Sequence, residues 1–164
     1  MSKIQKLNNR TLALGIKHLK KVDSDFKEIL RDRNDQINSF KKTGGFEGLI
    51  SLIVEQQLSV ASAKAIFSRV KLVCGDFEAS SFLKIKEEEL KATGLSRQKV
   101  TYCRNVAEAV INKTLDFKKL EKMSDQEVVE MLVKIKGIGE WTAQCYLMAC
   151  MKRLDAWPSS DLGL

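Results

Sequence analysis

The sequence predicts an all-α fold. Apolar residues recur at helical spacing along nearly the whole chain, no segment alternates convincingly with period two, and there is a single proline, Pro158. Leu12, Ile16 and Leu19 form a first stripe, and Phe26, Ile29 and Leu30 start a second helix capped by Asp23 or Asp25. After the Gly44-Gly45 break, Phe46, Leu49, Ile50 and Ile53 follow the i, i+3, i+4, i+7 pattern. Ser59 caps a helix that buries Ala63, Phe67, Val70 and Cys74 and ends at Gly75. A short helix near Glu87–Ala92 stops at Gly94, and Val100, Cys103, Ala107, Val110 and Ile111 mark a long one. Ser124 and Glu127 form a capping box that opens a helix with Val128, Met131, Leu132 and Ile135 on one face. The total is roughly eight to ten helices, with no long linker and no low-complexity region.

At 164 residues the chain is one domain, or two small lobes sharing a core. Apolar residues make up 44% and charged residues 30%, which is not the composition of a disordered chain. The net charge of +7 favours a polyanionic partner, nucleic acid before membrane, although basic domains also use such charge for solubility. No apolar run approaches the roughly 18–20 residues of a membrane span, and the N-terminus has no secretory pattern, so the expected location is intracellular. Cys74, Cys103, Cys145 and Cys150 form no CxxC pair and read as buried thiols. With His18 the single histidine, chemistry on a histidine dyad is almost excluded, and carboxylates, aromatics or backbone groups must carry any catalysis.

Residues 124–164 hold the most specific pattern. A capped amphipathic helix runs into Ile135-Lys136-Gly137-Ile138-Gly139, and Glu140-Trp141-Thr142-Ala143 enter a strongly apolar helix. The glycines permit positive φ and leave no Cβ at the tip. The first N–H groups of the second helix lack intrahelical partners and carry partial positive charge, so a phosphate can approach them without regard to base sequence. An ordinary helical corner that needs glycine for close packing is the competing reading. Lys91-Ala-Thr-Gly94-Leu-Ser96 echoes Lys134-Ile-Lys-Gly137-Ile-Gly139 at an offset of 137 − 94 = 43, either as a second hairpin or by chance. Arg97, Lys99, Lys134 and Lys136 are candidates for nonspecific electrostatic contacts, or plain surface charges.

Gly137-Ile-Gly-Glu-Trp-Thr-Ala143, with Asp155-Ala-Trp-Pro-Ser-Ser-Asp161 downstream, resembles the helix-hairpin-helix DNA glycosylase superfamily. Within it, the likeness is to the monofunctional 3-methyladenine DNA glycosylase II branch. Gly45-Phe46-Glu47 leading to Ile53-Val54-Glu55-Gln56-Gln57-Leu58-Ser59 resembles the family's first signature, and Thr93-Gly94-Leu95-Ser96 with Lys99 and Tyr102 its middle one. The resemblance runs from about residue 10 to residue 164. It implies a helix-hairpin-helix glycosylase domain over residues 1–164, with the hairpin at about 124–152, that excises alkylated purines from double-stranded DNA in base-excision repair.

The same resemblance assigns roles. Asp161 stands at the catalytic aspartate, which stabilises oxocarbenium character at the sugar as the N-glycosidic bond breaks and assists water attack at C1′. A helix cap or terminal carboxylate is its bland alternative, and Asp155 is read as a structural cap. Relatives that also cut the strand carry a Schiff-base lysine where this chain has Trp141, so base excision without lyase activity is implied. The Trp141 indole stacks on a cationic base or simply packs in the core, and Trp157 is a second pocket wall or a packing anchor before Pro158. Gln56, Gln57 and Leu58 lie on a helix–helix tip, with Gln57, or Leu58 as the apolar alternative, filling the hole left by the flipped base. Gly137, Gly139, Thr142 and Lys136 complete the expected DNA contacts. Cys145 and Tyr146 fall where some relatives place pocket aromatics.

No cofactor is required by this reading. A structural Na⁺ or K⁺ at the hairpin carbonyls of Lys136 and Ile138 is compatible with it, and a monomer is expected. In the family further helices come after the aspartate and complete the core and one pocket wall; this chain ends three residues after Asp161, so those helices are expected to be missing. The alternatives are a glycosylase for an oxidised or mismatched base, a noncatalytic helix-hairpin-helix DNA-binding module, and an unrelated basic helical protein.

Overall fold

The computed structural model describes residues 6–32 and 42–161. Among them are ten α-helices, one π-helical turn and no strand; an isolated bridge pairs Lys6 with Arg153. The helices are α1 (Asn9–Val22), α2 (Ser24–Asp32), α3 (Gly45–Glu55), α4 (Val60–Cys74), α5 (Ala79–Lys84), α6 (Glu87–Ala92), α7 (Arg97–Ile111), α8 (Phe117–Leu120), α9 (Asp125–Leu132) and α10 (Glu140–Cys145). The π turn, Tyr146–Cys150, comes directly after α10. The all-α expectation is met.

Caps place most boundaries. The Asp23 carboxylate accepts the N–H groups of Asp25 and Phe26, so Asp23 rather than Asp25 caps α2. Ser59 and Ser96 accept N–H groups three residues on and start α4 and α7. Ser124 and Glu127 close the expected capping box of α9. That helix stops at Leu132, which leaves Ile135, expected on its face, in the turn beyond. α5 has six residues and α8 four, too few turns for a 3.6-residue period to be legible in the sequence. Asp155, expected as a cap, is exposed and caps none of the described helices.

α3 is the central element. Phe46, Leu49, Ile50, Leu52, Ile53 and Val54 are each at most 7% exposed, because the helix is surrounded by α4, α7, α10 and the π turn. A helix covered on most sides is apolar over most of its surface, and Glu47, Ser51 and Glu55 form the one polar stripe, which lines a cavity. Each such side chain contributes about 1.5–3 kcal/mol by leaving water. Phe46 of this helix packs with Phe67, Phe77 and Phe82 in tilted and edge-on pairs, with neighbouring ring centroids 5.5 to 6.4 Å apart. α5 lies on α7, and α9 on α10. α1 pairs with α2 and buries none of its own residues. All four cysteines are free and buried, and burial pushes the Cys103 thiol up to about 12. No helix among the described residues is long and apolar enough to cross a membrane.

A buried cation fastens the segment that leads to Asp161. The Arg153 side chain is 3% exposed, its Nη1 lies 3.2 Å from the Asp125 carboxylate, and its Nη2 donates to the carbonyls of Leu120, Glu121 and Met123. These carbonyls close the α8–α9 connection, where helix ends leave acceptors unpaired. Replacing Arg153 by Met is expected to lower unfolding stability by about 2–4 kcal/mol in urea titration, because several buried acceptors lose their donor at once. A loss below about 1 kcal/mol contradicts this role.

Candidate functional site

The corner between α9 and α10 is shaped by two glycines that act differently. Gly137 holds φ at +108°, and a Cβ there would lie 2.2 Å from Cγ of Tyr102, so both the backbone and the neighbouring ring demand glycine. Between the glycines, Ile138 is 4% exposed and anchors the tip in the core. Gly139 is extended at the N-cap of α10 (φ −89°, ψ 174°), with no side-chain cap and no atom within 4 Å of where a Cβ would stand. The N-terminus of α10 is therefore bare backbone facing open space, the condition for anion approach.

The internal echo is real in the backbone. Gly94 has φ +99°, Leu95 is 4% exposed and Ser96 is the extended N-cap of α7, matching Gly137, Ile138 and Gly139 in turn. The copies differ where a phosphate would bind, because the Ser96 hydroxyl already accepts the Lys99 N–H at 3.2 Å. Both corners face a groove of about 730 Å³ that also takes in Gln57, Trp141 and Asp161.

The turn between α3 and α4 is tied to this corner. Gln56 Nε2 donates to the Gly137 carbonyl (3.1 Å) and to Thr142 Oγ1 (3.0 Å), so Gln56 and the 2%-exposed Thr142, which both line the groove, also tie the turn to the hairpin. Gln57 is exposed and holds φ at +55°, a left-handed conformation that costs a residue with a Cβ about 1–2 kcal/mol. Both glutamines line the groove, and Gln57 is the exposed one. Leu58, 40% exposed, turns to a neighbouring cavity. Lys99 donates to the carbonyls of Val54 and Gln56 at 2.7 and 2.6 Å. It is thus bonded to protein and is not the freely solvated charge its sequence context implies. Its partial burial lowers the ammonium pKa from the usual lysine range. Lys136 is exposed, and its carbonyl accepts the Asn105 amide at 2.9 Å. A cation at the Lys136 and Ile138 carbonyls would share one of its two oxygens with that positively polarised N–H. The second lone pair of that oxygen stays open, so the bond does not decide whether an ion binds there. Among the described residues no cluster of His, Cys, Asp and Glu could hold a metal.

Trp141 and Asp161 join the groove to a second cavity of about 790 Å³, bounded by Ser51, Glu55, Leu58 and Phe67. The indole Nε1 donates to Asp161 Oδ2 at 3.0 Å. The aspartate is held in a tight turn: its N–H donates to the Pro158 carbonyl, and Pro158 is buried. Glu55 pairs with Lys42, and Glu47 with Lys71, along the cavity rim. Cys145 stays a neutral thiol near the carboxylate, pushed up to about 11 by burial first and by the Asp161 charge second. Trp157 is 62% exposed and lines neither cavity, against the expectation of a pocket wall, because the turn at Pro158 leaves it outside. Tyr146 is also no pocket aromatic: it is 2% exposed, and its hydroxyl accepts the Gly45 N–H at 2.9 Å.

The fold and this corner define the class. The chain belongs to the HhH-GPD superfamily of base excision DNA repair proteins, whose family model matches residues 50–164. It is 32% identical over 153 residues to DNA-3-methyladenine glycosylase 1 of Schizosaccharomyces pombe, covering 90% of this chain and 67% of that protein. The structure is similar to that of a 3-methyladenine DNA glycosylase of Schizosaccharomyces pombe in complex with abasic DNA, with TM-score 0.80 and 31% identity over 90% of this chain and 74% of that one. It also resembles a DNA-3-methyladenine glycosidase from Bacillus halodurans, with TM-score 0.71 and 38% identity over 77% of this chain and 59% of that one.

The two glycines make opposite predictions. Gly137→Ala should lower stability by about 2–4 kcal/mol, from the strained φ and the overlap with Tyr102. Gly139→Ala, with ordinary φ and open space, should cost about 1 kcal/mol or less as a poorer N-cap. Chemical denaturation of the two variants decides, and equal losses would contradict the geometry.

Proposed function

We propose that this chain is a monofunctional DNA glycosylase that removes alkylated purines of the 3-methyladenine type from double-stranded DNA by hydrolysis, acting as a monomer in base-excision repair. The observation that carries this reading is the Trp141–Asp161 hydrogen bond, at 3.0 Å, where the open groove meets the second cavity. The groove is suited to a duplex backbone: it has bare amides at Gly139 and the exposed Gln57 above them. The second cavity is suited to the swung-out base, with Phe67 and Leu58 as apolar walls. A sugar passing between the two brings C1′ beside Asp161.

The chemistry derives from that position. Alkylation at a ring nitrogen makes the base cationic, so it departs as a neutral molecule and needs little acid catalysis. Bond cleavage leaves positive charge on the sugar, and the Asp161 carboxylate stabilises that charge more than it stabilises the ground state. The Trp141 N–H holds the carboxylate in direction, and the indole face attracts an electron-poor ring. Water then adds at C1′ with assistance from the same carboxylate. An indole cannot form a Schiff base, so the strand stays intact and an abasic site remains.

Asp161→Asn is expected to reduce release of 3-methyladenine from alkylated duplex by about a hundredfold or more, while duplex binding persists. Product strands from the wild-type chain should be uncut before alkali, and borohydride should trap no covalent adduct. Wild-type release rates in Asp161→Asn would overturn the assigned role. Release of an oxidised or mismatched base instead would move the substrate class, and binding with no release of any base would leave a noncatalytic DNA-binding module.

A further inference from the structure

Three described residues other than glycine hold a positive φ: Gln57, Lys113 and Lys152. Of these, Gln57 alone lines the groove beside Trp141 and Asp161. A conformation disfavoured for glutamine persists only where its surroundings over-determine it, and both flanks of Gln57 are anchored. On one side the Gln56 amide is bonded to the hairpin through Gly137 and Thr142. On the other the Lys99 ammonium reaches from the first turn of α7 to the carbonyls of Val54 and Gln56, at 2.7 and 2.6 Å. These carbonyls end α3, so they have no intrahelical partner, and a cation there also meets the negative end of the helix dipole. Tyr102, one turn along α7 from Lys99, has its ring against Gly137. α7 thus holds both lips of the groove.

Resting on the glycosylase reading, we propose that Lys99 is a positioning residue: its ammonium sets the α3–α4 turn so that Gln57 enters the duplex as the target nucleotide leaves it. Lys99 also lines the groove, and an ammonium has three N–H donors, of which two are on carbonyls. A simple phosphate contact is therefore the competing role. The two differ in what is lost on substitution. A phosphate contact weakens binding to every duplex alike, whereas a turn-positioning contact weakens only the state in which a nucleotide is out and Gln57 is in.

The test uses the whole chain and two duplexes, one undamaged and one with a neutral tetrahydrofuran abasic analogue flanked by 2-aminopurine. Lys99→Met should reduce the preference for the abasic duplex by about tenfold, while binding to the undamaged duplex changes by less than about threefold. The 2-aminopurine response should shrink in parallel. Lys99→Arg should restore most of the preference. In a Gln57→Ala background, Lys99→Met should add little further loss, because the two act as one unit. Lys99→Gln, which keeps a neutral donor, replaces Lys99→Met in the same comparison if that variant does not fold. Equal weakening on both duplexes, or additive losses in the double variant, would overturn the proposal. An absent wild-type preference for the abasic duplex would overturn it together with the Gln57 wedge. These duplexes report binding and not base release, so failure of the glycosylase reading shows separately in the release assay while this preference remains.

Discussion

The hydrogen bond from the Trp141 indole to the Asp161 carboxylate is the contact on which the site depends. It joins residues 20 apart in sequence, one on the first turn of α10 and one in the loop beyond the π turn. A carboxylate between two cavities has many directions to point and much water to meet. An N–H from a half-buried ring restricts that freedom without neutralising the charge. The donor also decides the type of chemistry. A lysine in its place would offer a nucleophile, whereas an indole offers none, and on the proposed reading the carboxylate is then the reactive group.

The rest of the scaffold serves that contact in layers. Arg153 clamps the chain just before Asp161 to the α8–α9 connection, and buried Pro158 turns it back towards α10. α10 is aimed by the hairpin, which is braced from three directions: Tyr102 against Gly137, Asn105 on the Lys136 carbonyl, and Gln56 on the Gly137 carbonyl. Two helix corners of the same backbone form, at Gly94 and Gly137, border the groove, so this side is built as a quasi-repeat. Only the second copy keeps its N-cap bare; Ser96 closes the first.

Much of this is legible in the sequence, for identifiable reasons. Apolar periodicity and capping residues are local signals, so α3, α4, α6, α7 and the Ser124 box can be read directly. The glycine pair alone fits an ordinary close-packed corner, and the hairpin becomes legible only with the capped helix before it and the resemblance carried by residues 137–143 and 155–161. Other features depend on contacts distant in sequence. Lys99 reads as a DNA contact or a surface charge, and Arg153 carries no signal at all, until the carbonyls they serve, 43 to 45 and 30 to 33 residues away, are placed beside them. Gln56 and Gln57 are chemically the same, and only the backbone angles and the Thr142 partner separate a strut from an exposed side chain. Trp157 reads as a pocket wall or as a packing anchor before Pro158, and at 62% exposed it is neither, because where the turn at Pro158 sends the ring is not a local signal.

The central claim is that the Asp161 carboxylate answers positive charge on the sugar. Its most direct measure is the affinity of the chain for a duplex carrying a cationic pyrrolidine sugar mimic, compared with one carrying the neutral tetrahydrofuran analogue. The account predicts that the wild-type chain prefers the cationic duplex by about tenfold or more and that Asp161→Asn abolishes the preference. Equal wild-type affinity for the two duplexes, or a preference that survives in Asp161→Asn, would contradict it.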